Sequence, residues 1–307
     1  MLKIERVTVN YLINPEGITG SPQFGWVIGS DRSNVSQKAY RLQIAEDSVF
    51  DKLVFDSGIL ESDQSAHIIP DALALVSSFK YYLRVKTYDE MEESPWSEVF
   101  YFISALRSKE WIGQYITAES DSDADNSKGT CVRKSFTIRS EVSSAIIHCT
   151  ALGLYKLYIN GCKAGNDELS PGWTSYKKHL VYQTHDITDW LKNGENVIGA
   201  MLGAGWYKGR MGLSRQRNNY GNKAAFLCQL ELKYTDGTHE TVVTDGSWRG
   251  ADSPVLFSEI YDGETYDARL EQEGWNGPAF SDTNWRPVKD VLGTLGRQKA
   301  GRIHVES

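Results

Sequence analysis

The period of its apolar residues constrains this chain most. β-Branched and aromatic side chains alternate with polar ones in short runs, and Gly, Asn, Asp and Ser separate the runs. A period of two puts successive side chains on opposite faces of a strand, whereas a helix needs apolar residues three and four apart. Almost no stretch shows the helical spacing. Such a chain must pair strands into sheets and bury one face of each sheet against another. With 307 residues it is also too long for one compact sandwich, so two domains are expected, each with its own core.

In the first hundred residues the alternation predicts strands at 4–9, 25–28, 39–45, 53–57, 66–68, 80–88 and 98–103. Trp26 falls on an early strand as a core aromatic. In YYLRVKTY, 81–88, Tyr81, Leu83 and Val85 share the inward face. Seven short strands in this length suit an immunoglobulin-like or fibronectin type III-like sandwich. SPWSEVFYF at 94–102 resembles the last two strands of fibronectin type III domains. A purely structural role is the expectation for 1–106, and the composition shift at 104–109 marks the boundary.

The second unit opens with WIGQYI at 111–116. The acidic stretch ESDSDADNSK, 119–128, lacks the ordered carboxylate spacing of a calcium loop and reads as solvated. Strands are expected at 131–136, 144–150, 152–159, 162–165, 196–202, 223–234 and 240–244. Asn160-Gly161 and Asp236-Gly237 supply tight hairpin turns, because both dipeptides accept the positive φ such turns need. Asn166-Asp167-Glu168 interrupts the apolar pattern, and Pro171-Gly172 then forces a turn, which leaves 166–168 on an exposed edge or loop. Residues 186–191 read as a short helical turn capped by Asp186. Many short antiparallel strands over about 107–295 make a β-jelly roll the best reading. Residues 296–307 read as a linker to a further domain.

Composition excludes several functions. No apolar run is long enough for a membrane helix, and the alternating N-terminus MLKIERVTVNYL lacks the apolar core of a secretory signal. The four scattered cysteines, Cys131, Cys149, Cys162 and Cys228, form no CxxC pair, so buried or free thiols are favoured over a metal–thiolate site. Free thiols without a signal peptide point to the cytoplasm. A net charge of −7 without a basic stripe argues against nucleic acid and is compatible with a neutral sugar.

The longer motifs are YINGCKAGNDELSPGWTSY, VYQTHDITDWLKNGENVIGAMLGAGWYKGRMG, FSEIYDGETYDARLEQEGWN and NWRPV. In this order they resemble the N-terminal β-sandwich portion of bacterial α-L-rhamnosidases, and with the preceding domain the resemblance covers nearly the whole chain. It implies a galactose-binding-like β-jelly roll within an enzyme that hydrolyses terminal α-L-rhamnosides with inversion. In that family the hydrolytic carboxylates stand on a large (α/α)₆ barrel, which this strand-rich sequence does not contain. The portion read here is therefore expected to be inactive alone, with the enzyme's own catalytic domain as partner. The carboxylates of Glu259, Asp262, Glu264 and Asp267 are expected to make turns and hydrogen bonds.

The resemblance further implies a calcium-dependent site for an L-rhamnose-containing glycoside. The matching residues are Asn166 and Asp167, with Asn219 and Asn222 as further oxygen donors and Trp206 and Tyr207 as aromatic platforms. Asn166 stands where family members often carry Asp, so one charge is missing. The alternatives are that Trp173 and Trp206 fill the core of a scaffold, or that the chain is a partner-binding or adhesion protein.

Overall fold

In a computed structural model, the structure describes residues 1–71, 73–119 and 126–291, and the backbone of 304–306. The expected linker thus lies largely outside the described residues, as does the middle of the acidic stretch. The chain divides into two compact units, Met1–Leu106 and Arg107–Glu306. Among the described residues no helix is long and apolar enough to cross a membrane.

The first unit contains strands β1 Leu2–Val9, β2 Glu16–Ile18, β3 Phe24–Ser30, β4 Ala39–Ala45, β5 Leu53–Asp56, β6 Leu60–Glu61, β7 Lys80–Tyr88 and β8 Phe100–Ser104. β1 and β3 form one antiparallel sheet; β2-β8-β7-β4-β5 form the other, with β6 on β4. Their inward faces meet in a core that includes Val7, Val9, Phe24, Trp26, Leu42, Ile44, Tyr81, Leu83, Val85 and Phe102. Trp26 is buried, and its Nε1–H donates to Gln37 Oε1 at 2.8 Å, as a buried indole requires. One expectation needs correction. Residues 66–68 do not form a full strand; they bridge β3 only through Phe24–Ile68, with Trp26 N–H donating to Ser65 O at 2.8 Å. The short β2 and β6 carry no readable alternation, so the pattern does not predict them.

The second unit contains β9 Ile116–Thr117, β10 Thr130–Ile138, β11 Val142–Leu152, β12 Leu154–Ile159, β13 Cys162–Lys163, β14 His179–Val181, β15 Gln183–Asp186, β16 Gly194–Gly203, β17 Ala225–Tyr234, β18 His239–Val243, β19 Arg249–Asp252, β20 Val255–Glu259, β21 Gly263–Tyr266, β22 Arg286–Pro287 and β23 Lys289–Asp290. The orders β13-β12-β16-β10-β19-β22 and β15-β11-β17-β9-β23, with β18 on β17, make two sheets of a jelly roll. The core between them includes Val132, Ile147, Leu157, Ile198, Ala200, Phe226, Leu230 and Trp248. The β12–β13 turn has Asn160 at φ +51° and Gly161 at +90°, the two positive values of a type I′ turn.

The continuous strand expected over 152–159 is broken at Gly153. Its φ of +117° is open to glycine, and a Cβ there would collide with the Gly203 carbonyl. The chain uses this residue to leave the sheet of β11 and enter that of β12. The helical turn is a 3₁₀ turn, Thr188–Trp190, with Ile187 rather than Asp186 at its cap position. Asp186 instead accepts from Thr188 N–H at 3.0 Å and from its hydroxyl at 2.6 Å. All four cysteines are free, and Cys162 alone is exposed. Cys149 stands directly opposite Cys228 in the β11–β17 ladder.

Candidate functional site

The polar corner predicted from sequence follows β13. Gly165, at φ +71°, has His185 Cε1 only 2.7 Å from where a Cβ would sit, so the loop lies directly on that imidazole. Asn166 and Asp167 project from it, both on the accessible side of the loop. Burial lowers the His185 pKa, and the Asp167 charge opposes that shift. Asp167 also acts electrostatically on buried Tyr155, whose hydroxyl donates to Gln183 Oε1 at 2.7 Å and Cys149 O at 3.1 Å. The next residue, Glu168, is engaged by Lys163 at 2.5 Å and Lys156 at 3.4 Å.

The aromatic part is built on a one-turn helix, Gly205–Lys208, and the loops on either side. Gly205 takes φ +51° with Leu154 in the space a side chain would fill. This lets Trp206 lie parallel to Trp173, with centroids 6.1 Å apart and planes 5° apart. Trp173 is 53% exposed, and its Nε1–H points to Tyr220 Oη at 3.4 Å. Beneath, Tyr176 meets Tyr220 at 4.9 Å and Tyr207 at 5.2 Å. The Tyr207 hydroxyl fills the space beside Gly221, next in sequence to Asn222. Asn219 turns its amide back to Gln216 O at 3.1 Å. The result is a ledge with one half-exposed indole, Trp173, backed by rings.

The predicted residues therefore fall into two neighbourhoods. Asn166 and Asp167 belong with His185 and Tyr155; Trp206, Tyr207, Asn219 and Asn222 belong with Trp173, Tyr176 and Tyr220. The segment 169–172 links them, and Tyr155 N–H donates to Ser170 O at 2.9 Å. Calcium takes six to eight oxygen ligands, usually including several carboxylates. Among the described residues no three His, Cys, Asp or Glu side chains converge to hold a metal ion, and lysines engage Glu168. Asp167 with neighbouring amides is a poor donor set for calcium, so no binding step is derived through that ion.

Carboxylates matter here as anchors, a role the sequence reading missed in part. Glu119, expected in a solvated loop, is buried; its Oε2 accepts from Lys208 Nζ at 2.6 Å, with both side chains at most 2% exposed. Its other oxygen accepts from Ala224 N–H at 3.3 Å. Glu259 accepts from Arg210 N–H at 2.7 Å and pairs with Arg217 and Ser127. Asp262 holds Arg215 at 2.5 Å and Arg210 at 3.2 Å, and the Arg215 hydrogen bond, the largest cause, keeps its pKa below the usual carboxylate range. Asp267 caps the turn Ala268–Leu270 through Arg269 N–H at 3.1 Å. Glu264 stands exposed on β21. Glu119, Glu259, Asp262 and Asp267 are engaged as ion pairs and caps; an inverting glycosidase instead needs an acid and a base flanking a water. Glu119, Glu259 and Asp262 clamp the 205–222 loop that presents the ledge.

Residues 140–301 match the family model described as the alpha-L-rhamnosidase N-terminal domain. The chain belongs to that family. Residues 4–108 match the Rha78A-like, N-terminal immunoglobulin domain. Among curated proteins, the chain is 33% identical over 292 residues to an alpha-L-rhamnosidase of Formosa agariphila, covering 90% of this chain and 31% of that one. It is 43% identical over 163 residues to one of Streptomyces avermitilis, covering 53% and 16%. Among solved structures, the alpha-L-rhamnosidase of Aspergillus terreus superposes with a TM-score of 0.87 at 30% identity, covering 97% of this chain and 35% of that one. This rhamnosidase-family chain thus spans about a third of the length of its full-length relatives, or less.

Proposed function

We propose that this chain forms non-catalytic N-terminal β-domains of an α-L-rhamnosidase acting on terminal α-L-rhamnosides, and that its jelly roll contacts the sugar at the Trp173–Trp206 ledge. The observation that carries the binding reading is the half-exposed indole of Trp173, held parallel to Trp206 on a loop anchored by buried acids. A flat apolar ring held rigidly suits the apolar face of a sugar. Asn166, Asp167 and Asn219 stand on the adjoining loops as polar donors and acceptors. The hydrolytic acid and base belong to another part of the enzyme.

Calorimetric titration with L-rhamnose, with calcium and with a chelator, tests this. Saturable heat is expected, and Trp173→Ala should abolish it without lowering the melting temperature. Loss in chelator or in Asp167→Ala would assign a calcium-dependent mode; retention in both would assign a metal-independent one. No saturable heat in either condition would overturn sugar binding. Hydrolysis of an aryl α-L-rhamnoside by this chain alone would overturn the non-catalytic reading.

A second reading, a scaffold for the enzyme's own catalytic domain, is favoured by the β20–β21 hairpin. It exposes Leu256, Tyr261 and Tyr266, more apolar surface than a two-stranded hairpin needs. Charged substitutions there should leave rhamnose binding intact and weaken association with the remaining domains.

A further inference from the structure

The first unit carries a cavity of about 180 Å³ on the outer face of its β1–β3 sheet, with Arg6, Thr8, Tyr11, Gly25, Val27 and His67 in its lining. β1 and β3 pair Thr8 with Gly25; a Cβ at Gly25 would meet Thr8 Oγ1 at 3.2 Å and Ser65 O at 3.4 Å, so glycine lets the Ser65–Ala66 segment close in at the edge of the cavity. One wall is Tyr11 against His67, edge to face with centroids 5.5 Å apart and Oη 3.0 Å from Nδ1. Both residues have left-handed backbones, φ +67° for Tyr11 and +56° for His67. Asn10 shares that region with Tyr11 at φ +48°, as the two central residues of a type I′ turn require, and the turn sets the Tyr11 ring at the cavity.

Carboxylates outnumber Lys and Arg in 1–106, and Arg32, Lys38, Arg41 and Lys86 are each engaged by one. Arg6, like Lys52 and Arg84, is not: among the described residues no carboxylate lies within ion-pair distance of it, and adjacent Glu5 pairs with Lys3 at 3.3 Å; of these three, Arg6 lines the cavity. The β-bulge between Ile4 and Arg6 resets the facing of β1, and bulges commonly re-aim a side chain.

We propose that this cavity binds one monosaccharide unit bearing an anionic group, a carboxylate or a sulfate ester. Arg6 takes the anion through its planar fork, Tyr11 and His67 cover the ring, and Thr8 is the hydroxyl partner at the floor. On the reading that the parent enzyme acts on glycans, such a site holds an acidic residue of the polymer. This goes beyond the Trp173–Trp206 reading, and the two can fail separately.

The test is titration of the full chain with D-glucuronate, glucose 6-sulfate, D-glucose, L-rhamnose and inorganic sulfate. At least one anionic sugar should bind saturably and at least tenfold more tightly than glucose, and whichever is preferred identifies the anionic group. Arg6→Ala should weaken it tenfold or more, whereas Trp173→Ala should leave it unchanged. Tyr11→Gly is the sharpest variant: a glycine directly after Asn10 makes the favoured type I′ dipeptide, so the melting temperature should hold or rise while binding is lost. The proposal is overturned if glucose binds as well as both anionic sugars, if inorganic sulfate alone matches them, if neither saturates, or if Arg6→Ala or Tyr11→Gly binds as the parent does. Rhamnose binding lost in Trp173→Ala alone would report on the jelly-roll ledge.

Discussion

Lys208 and Glu119 are the most consequential ion pair in the jelly roll, because both side chains are at most 2% exposed and the contact is 2.6 Å. Replacing Lys208 with Met keeps most of its apolar stem and removes its charge from the buried pair with Glu119. Breaking a buried pair this way costs about 3–5 kcal/mol, because the surviving charge must be desolvated or neutralised. Glu119→Gln removes the carboxylate from Lys208, while keeping an acceptor for Ala224 N–H. The double variant removes both charges of this pair and should be more stable than either single variant. A double-mutant cycle by urea denaturation, followed by near-ultraviolet circular dichroism, should therefore give a coupling energy of several kcal/mol. The single variants should also mobilise the 205–222 loop and weaken any ligand at the Trp206 ledge; the double variant should restore both. A Lys208→Met cost below about 1 kcal/mol, or a double variant as unstable as the singles, would refute the argument from uncompensated charge.

Other outcomes follow from burial and backbone geometry. Protein folded under reductant should offer one thiol, Cys162, to an aromatic disulfide reagent and four after denaturation, because the other three cysteines are buried. Burial of His148 pushes its pKa down to about 3, so from the ordinary value near 6.5 down to 3 the unfolded chain holds the extra proton. Its contribution to stability is full above that range and falls with pH at roughly 1.4 kcal/mol per unit; His148→Gln should flatten the pH dependence of the urea midpoint by that amount between about pH 6 and 4. Gly153→Ala should cost at least about 2 kcal/mol, from left-handed strain and collision with Gly203 O. Gly172→Ala, at φ +96° with open space around it, should cost less by the same denaturation assay.

Strands are legible where one face is buried and the other wet. Residues 80–88 and 39–45 are readable to the residue because β7 alternates strictly and β4 is mostly apolar. Strands of two or three residues are not, since 16–18 and 60–61 are too short to express a period. Gly153 hides inside an unbroken alternation because a change of sheet preserves inward and outward facing on both sides. The exposed loop at 166–168 is legible from its polar run and the Pro-Gly that follows. What the sequence does not show is how Trp173, Tyr176, Trp206 and Tyr220 gather, or that Glu119 is buried against a lysine 89 positions away. Those facts depend on which loops the sheet order brings together, and local pattern carries no information about that.

The ladder pair Cys149 and Cys228 ties this jelly roll to the redox chemistry of its surroundings. The Cys228 carbonyl accepts from Thr244 N–H at 3.1 Å and its N–H donates to Thr244 Oγ1 at 3.2 Å, away from β11. The pair is therefore of the non-hydrogen-bonded kind, with Cα atoms about 4.5 Å apart and side chains close, a spacing that admits a disulfide. A bond there would join the two long central strands and close a loop of about 80 residues, removing roughly 4–5 kcal/mol of chain entropy from the unfolded state. Burial raises the Cys149 thiol pKa well above its usual value, and contact with Cys228 adds to this, so the folded ladder exchanges slowly. The oxidation state is set while the chain folds: refolding with oxidised glutathione should yield the 149–228 cross-link by peptide mapping, and refolding under reductant should yield a domain that keeps both thiols.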